Sequence, residues 1–156
     1  MDNRRLKRLE IGLRVAEAYA SLSTCPRRQV GCLISDSSGR PLSVGYNGVP
    51  SGRPHCTAAT PCPGAGLPSG QGLDLCEALH AEQNAILQLR DPERAAVAFV
   101  TTFPCNSCMK LLLGTQIRLI VFRSSYPHTE GLEWWTRTGR EVIQVSAELG
   151  NQVLAS

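Results

Sequence analysis

Apolar residues at the start of the chain recur at helical steps. Leu6, Leu9, Leu13, Ala16 and Ala20 follow one another at intervals of three and four, which predicts an amphipathic helix over about 4–21. Ser23, Thr24 and the Cys25-Pro26 step end it, because a residue before proline is pushed out of the helical region. Val30-Gly31-Cys32-Leu33-Ile34 is then a continuous apolar run suited to a buried strand. Asp36-Ser37-Ser38-Gly39 is turn chemistry, and 41–46 reads as a second strand. Two strands this close predict an antiparallel hairpin.

The periodicity disappears over 47–72, where 11 of 26 residues are Gly or Pro, so this stretch is expected to be loop. Helical spacing returns over about 77–90, with Leu79, Ala85, Ile86 and Leu89 on one face and Asp91-Pro92 as the stop. After it come a strand at 96–101, a helix from near Cys105 to Gly114 and a strand at 117–122. A helix over 130–138 carrying Trp134 and Trp135 and a strand at 141–145 complete the pattern. The order is α-β-β-α-β-α-β-α-β. Strand–helix–strand alternation after residue 90 argues for parallel pairing with right-handed crossovers. The expected architecture is α/β: one domain over 1–156, with a mixed five-stranded sheet, an N-terminal antiparallel hairpin and helices on both faces.

Composition narrows the setting. At 156 residues, 42% apolar and 19% charged, the chain suits one globular unit with a real core. No apolar run approaches a membrane span, and the N-terminus alternates charge with Leu and Ile, unlike a secretory signal. A cytoplasmic, reducing compartment is therefore expected, and the seven cysteines read as metal ligands or buried thiols rather than a disulfide framework. Net charge is a mild +3. The basic cluster Arg4, Arg5, Lys7 and Arg8 reads as a solvated helix face, and nucleic acid is not the expected partner.

The chemistry concentrates in two motifs. Leu79-His80-Ala81-Glu82 and Pro104-Cys105-Asn106-Ser107-Cys108 offer one imidazole and two thiols, a donor set suited to zinc. Three protein ligands leave a fourth tetrahedral position for water, the pattern of a catalytic rather than a closed structural site. Glu82, two residues after the histidine, is a carboxylate beside that water, able to act as base and then acid. His80 and Cys105 are each expected near a helix N-terminus, whose N–H groups and dipole offset the charge of two thiolates. Each motif alone is weak, since Cys-x-x-Cys also serves structural zinc and redox pairs. Together, His-x-Glu with Pro-Cys-x-x-Cys is the established signature of zinc deaminases.

The wider pattern resembles the deoxycytidylate (dCMP) deaminases and the related late-competence operon proteins of bacteria. Val30-Gly31-Cys32, the run from Gly45-Tyr46-Asn47-Gly48 to Gly52, His55-Cys56, His80–Ile86 and Thr101–Cys108 occur in that family's order, over about residues 6–145. The resemblance implies the three-layer α/β/α cytidine deaminase-like fold, with His80, Cys105 and Cys108 on zinc and Glu82 as proton shuttle. It implies Asn47 at the sugar, the Ala81 backbone at the pyrimidine, the 25–30 segment near the 5′-phosphate and Tyr126 near the substrate. Arg27 is the expected phosphate contact, because its fork matches phosphate oxygens. The family also implies a second, structural zinc. Here Cys25, Cys56, Cys62 and Cys76, with His55 as an alternative ligand, would pin the 47–76 insertion.

The activity implied is conversion of dCMP to dUMP and ammonia, feeding thymidylate synthesis. The family further implies a homo-oligomer, from dimer to hexamer, and dCTP and dTTP as candidate effectors. The alternatives are a deaminase of cytidine, dCTP or a modified dCMP, a tRNA or nucleic-acid deaminase, and a non-catalytic zinc protein. The neutral-to-acidic stretch Val145–Asn151 argues against the nucleic-acid reading, and Glu82 argues against the non-catalytic one.

Overall fold

The computed structural model describes residues 2–128 and 130–155. Helix α1 spans Asn3–Ala20, β1 Gly31–Ser35, β2 Pro41–Tyr46, α2 Ala81–Leu87 and β3 Val97–Thr102. They are followed by α3 (Asn106–Leu113), β4 (Leu119–Ser124), α4 (Glu130–Arg137), β5 (Glu141–Gln144) and α5 (Ala147–Ala155). The sheet order is β2-β1-β3-β4-β5. β1 pairs antiparallel with β2 and with β3, whereas β3–β4 and β4–β5 are parallel. The expected hairpin, the mixed sheet and the helices on both faces are all observed.

Side-chain alternation sorts the strands into two cores. Cys32, Ile34, Ala98, Val100, Ile120 and Phe122 point to the layer holding α2, α3 and α4, where Met109, Leu112 and Trp135 are buried. Leu33, Phe99 and Val121 point the other way, to Leu9, Leu13 and Ala16 of α1. All five residues of β1 are buried, because both of its faces are covered; this is why it reads as a continuous apolar run. Cys32 is one of these buried side chains, as expected, and Trp135 is a core residue whose Nε1–H donates to the Glu141 carbonyl.

Three departures from the sequence pattern have physical causes. α2 begins at Ala81, not near 77, because Leu79 is held extended by a backbone bridge with Gly48. β4 begins at Leu119; Ile117 is fully buried but lies in the connection before the strand. α5 was not expected at all. It packs on α1, where Gly150 lies against the Glu10 carboxylate and Arg14 bonds Asn151. Among the described residues no helix is long and apolar enough to cross a membrane.

Candidate active site

Two backbone devices fix the first motif. Gly45 of β2 lies directly under α2, and a Cβ there would stand 2.3 Å from the Ala81 carbonyl oxygen and 2.5 Å from the Ala85 nitrogen. Only glycine permits this approach. Gly48 and Leu79 exchange N–H···O bonds of 3.1 and 2.9 Å, and the Asn84 amide donates to the Tyr46 carbonyl at 2.7 Å. The end of β2 and the Gly48 turn after it are thus the bed on which His80–Glu82 rests. His80 is the N-cap of α2, and its N–H donates to Gln83 Oε1 at 2.7 Å.

The second motif follows β3 directly. Cys105 caps α3 and Cys108 lies one turn in. His80 Nδ1 is 3.4 Å from Cys105 Sγ and 3.3 Å from Cys108 Sγ. A tetrahedral zinc with ordinary bond lengths would separate nitrogen and sulfur ligands by about 3.6 Å, so the three donors fit that ion. Among the described residues this is the group whose ligand atoms all lie within 4.8 Å of one another. The Cys108 thiol, opposed by burial and helped by His80, holds the Cys105 thiol down to about 4. The Cys105 hydrogen bond outweighs burial and raises the His80 pKa.

Glu82 is 4% exposed and stands beside this centre. Burial pushes its carboxyl up, more than its own backbone N–H and His80 pull it down. A raised carboxyl suits a group that must both take and return a proton near neutrality.

A pocket of about 90 Å³ opens over the centre. Its lining includes Arg27, Arg28, Asn47, Ala81, Glu82 and Tyr126, so every residue expected to contact substrate lies at it. Two of them hold parts not expected from the sequence. Asn47 Oδ1 accepts from the Val30 N–H and its Nδ2 donates to the Arg28 carbonyl, both at 2.8 Å, so the amide staples the 28–30 segment to the end of β2. Arg27 points its guanidinium at loop carbonyls of Gly64, Pro68 and Gln71. It is Arg28 whose Nη1 is buried without a partner, with its guanidinium carbon 6.0 Å from the Tyr126 ring centre. The sequence reading passed over Arg28. The signal available was only that it is a second arginine beside the first.

The four remaining site cysteines gather near the insertion. The Cys62 N–H donates to Cys56 Sγ at 3.2 Å. Cys62 also interacts with Cys76, and Cys25 acts electrostatically on Cys56 and Cys76. Burial opposes ionisation of Cys62, but the N–H groups of Glu77 and Gly64 and the neighbouring thiols outweigh it and lower its pKa. The cluster is looser than the first centre. His55 is exposed, with its carbonyl bonded by the Thr60 hydroxyl.

A buried carboxylate beside three donors that can hold a metal ion, on an α/β/α sandwich, is the arrangement of a candidate metal centre with a base at hand. Residues 7–124 match the family described as the cytidine and deoxycytidylate deaminase zinc-binding region. The chain is 34% identical over 128 residues to the deoxycytidylate deaminase of Schizosaccharomyces pombe, covering 77% of this chain and 39% of that protein. It is 32% identical over 118 residues to that of Mycobacterium phage D29, covering 72% and 91%. The solved dCMP deaminase of cyanophage S-TIM5 in complex with dCMP and dUMP has a TM-score of 0.69 at 26% identity, covering 87% of this chain and 95% of that one. The chain belongs to the cytidine and deoxycytidylate deaminase family. It spans well under half the length of the fungal relatives it matches.

Proposed function

We infer that the protein hydrolyses dCMP to dUMP and ammonia. The observation that carries this reading is the pairing, in one pocket, of buried Glu82 beside His80, Cys105 and Cys108 with the unpartnered Nη1 of Arg28. A zinc ion on the three ligands would supply the Lewis acidity that makes water a nucleophile at neutral pH. Glu82 takes a proton from the attacking water and delivers it to ring N3, which makes C4 electrophilic. The water oxygen bonds to C4, Glu82 takes the remaining proton from the new C4 hydroxyl and passes it to the exocyclic amine, the C4–N bond breaks, and ammonia leaves as the uracil carbonyl forms. The Ala81 backbone and Asn47, which keeps one N–H and one lone pair beyond its two bonds to the 28–30 segment, are the contacts for base and sugar. Arg28 is the contact for the 5′-phosphate, with Tyr126 beside it. The unpaired buried donor and the relatives named deoxycytidylate deaminase support a nucleotide over a free nucleoside.

The same reading includes a structural zinc at Cys25, Cys56, Cys62 and Cys76, supported by the thiol contacts and by the lowered Cys62 pKa. It also includes a single domain in the cytoplasm, a homo-oligomeric assembly, and dCTP and dTTP as effectors. Ammonia release from dCMP, CMP, dCTP and deoxycytidine tests the substrate. dCMP is expected to be turned over fastest, and equal rates for dCMP and deoxycytidine would remove the phosphate contact. Light scattering tests the assembly, and adding each triphosphate to the dCMP assay tests the effectors.

A further inference from the structure

We propose that Arg27 is a positioning residue, which holds residues 64–71 of the insertion as one wall of the pocket and does not contact the ligand. The proposal rests on the reading that the pocket takes a cytosine nucleotide. Arg27 Nη1 donates to the Gly64 carbonyl at 3.1 Å, and Nη2 donates to the carbonyls of Pro68 and Gln71, the latter at 2.7 Å. These acceptors lie in a loop with no strand partner, tied internally only by turns such as Gln71 N–H to Pro68 O at 3.1 Å. Loop carbonyls need donors, and a planar fork with five N–H groups can serve three at once. An ammonium has one donor centre and cannot match that spread.

The wall matters because Ser69 and Gly70, between the Pro68 and Gln71 anchors, line the pocket. Gly70 has φ +83°, and a Cβ there would lie 3.0 Å from His128 Nε2 and 3.6 Å from the Tyr126 hydroxyl. The Gly70 carbonyl is 3.3 Å from His128 Nε2. The loop is therefore held from the inside by Arg27 and meets the Tyr126 loop at its outer edge. Arg27 is bracketed by Cys25 of the thiol cluster and Arg28 of the pocket. Of the two arginines, Arg27 is the one bonded to the insertion, whereas Arg28 holds a buried nitrogen, Nη1, without a partner.

The consequence is a division between two adjacent arginines. A loop anchor serves every ligand of the pocket alike, whereas a phosphate contact serves only phosphorylated ones. Steady-state kinetics of the zinc-loaded Arg27→Ala, Arg27→Lys and Arg28→Ala enzymes with dCMP and deoxycytidine separate the two roles. Arg27→Ala is expected to raise KM for both substrates by the same factor, roughly 10-fold, with kcat little changed. Arg27→Lys should recover part of the loss, and Arg28→Ala should raise KM for dCMP alone. A loss confined to dCMP in Arg27→Ala, or no change for either substrate, overturns the proposal.

Hydrogen exchange gives a readout independent of turnover. In Arg27→Lys, peptides covering 64–71 should exchange faster while α2 and α3 keep wild-type protection, and unchanged exchange at 64–71 also overturns the proposal. If the wild-type enzyme acts on neither substrate, the functional reading fails, whereas the exchange result still decides the role of Arg27.

Discussion

Gly45 and the Ala81 carbonyl are in backbone contact across the β2–α2 interface: a Cβ on Gly45 would stand 2.3 Å from that oxygen. Ala81 lies between His80, a donor of the candidate metal site, and Glu82, the proposed proton carrier. The smallest side chain at residue 45 therefore acts on both functional groups. Gly45→Ala should displace the start of α2, destabilise the fold by about 2 kcal/mol and lower kcat, because proton transfer depends on the Glu82 position. Thermal unfolding and dCMP kinetics check this; a variant with wild-type values for both would show that the contact is relaxed at no cost.

Glu82→Gln removes the base without removing a metal ligand. Zinc content should stay at the wild-type level while kcat falls by about 10²- to 10⁴-fold. Metal analysis and ammonia release on the same preparation check it, and retained turnover would eliminate Glu82 as the proton carrier.

The two cysteine groups should separate by metal content. The wild-type chain is expected to bind two zinc ions, Cys108→Ser one with turnover lost, and Cys62→Ser one with the catalytic ion kept. Elemental analysis of each protein decides this, and a single zinc in the wild type would leave the insertion thiols metal-free.

The buried pair Glu10–Arg123 ties α1 to the end of β4, with Arg123 also donating to the Val145 and Ser146 carbonyls ahead of α5. Burial works against the Glu10 charge, but hydrogen bonds from Arg123 and Arg14 outweigh it and hold the carboxyl below its ordinary value. A depressed folded pKa contributes stability that is present above the ordinary carboxyl value, 4.5 here, and is lost as pH falls through the folded one. Glu10→Gln should cost about 2 kcal/mol at neutral pH, since Arg123 keeps Glu17 as a partner. The gap between variant and wild type should narrow below pH 4.5, as unfolding midpoints measured across pH would show.

Most of the architecture was legible because burial imposes a period on the sequence. β1 is covered on both faces and so reads as unbroken apolar residues, and α1 is covered on one and so reads in steps of three and four. α5 escaped notice because its anchor is not apolar periodicity. It docks through Gly150 on a buried carboxylate, a contact made between residues 140 positions apart in the chain. The start of α2 is hidden for a similar reason: Leu79 continues the apolar face but is claimed by the Gly48 backbone.

For the site, the chemistry is legible from residue type and spacing alone. One histidine and two cysteines at these spacings, with a glutamate two residues from the histidine, specify a metal, an open position and a base, because donor type and helical spacing are local properties. Tertiary structure decided which side chain serves which partner. Arg27 and Arg28 are chemically identical neighbours. Only the folded insertion, bringing the carbonyls of Gly64, Pro68 and Gln71 to Arg27, occupies one guanidinium and leaves a nitrogen of the other unpaired. Hydrogen bonds are short-ranged and directional, so that division exists only where the loop is folded against the helix and sheet that carry the metal site.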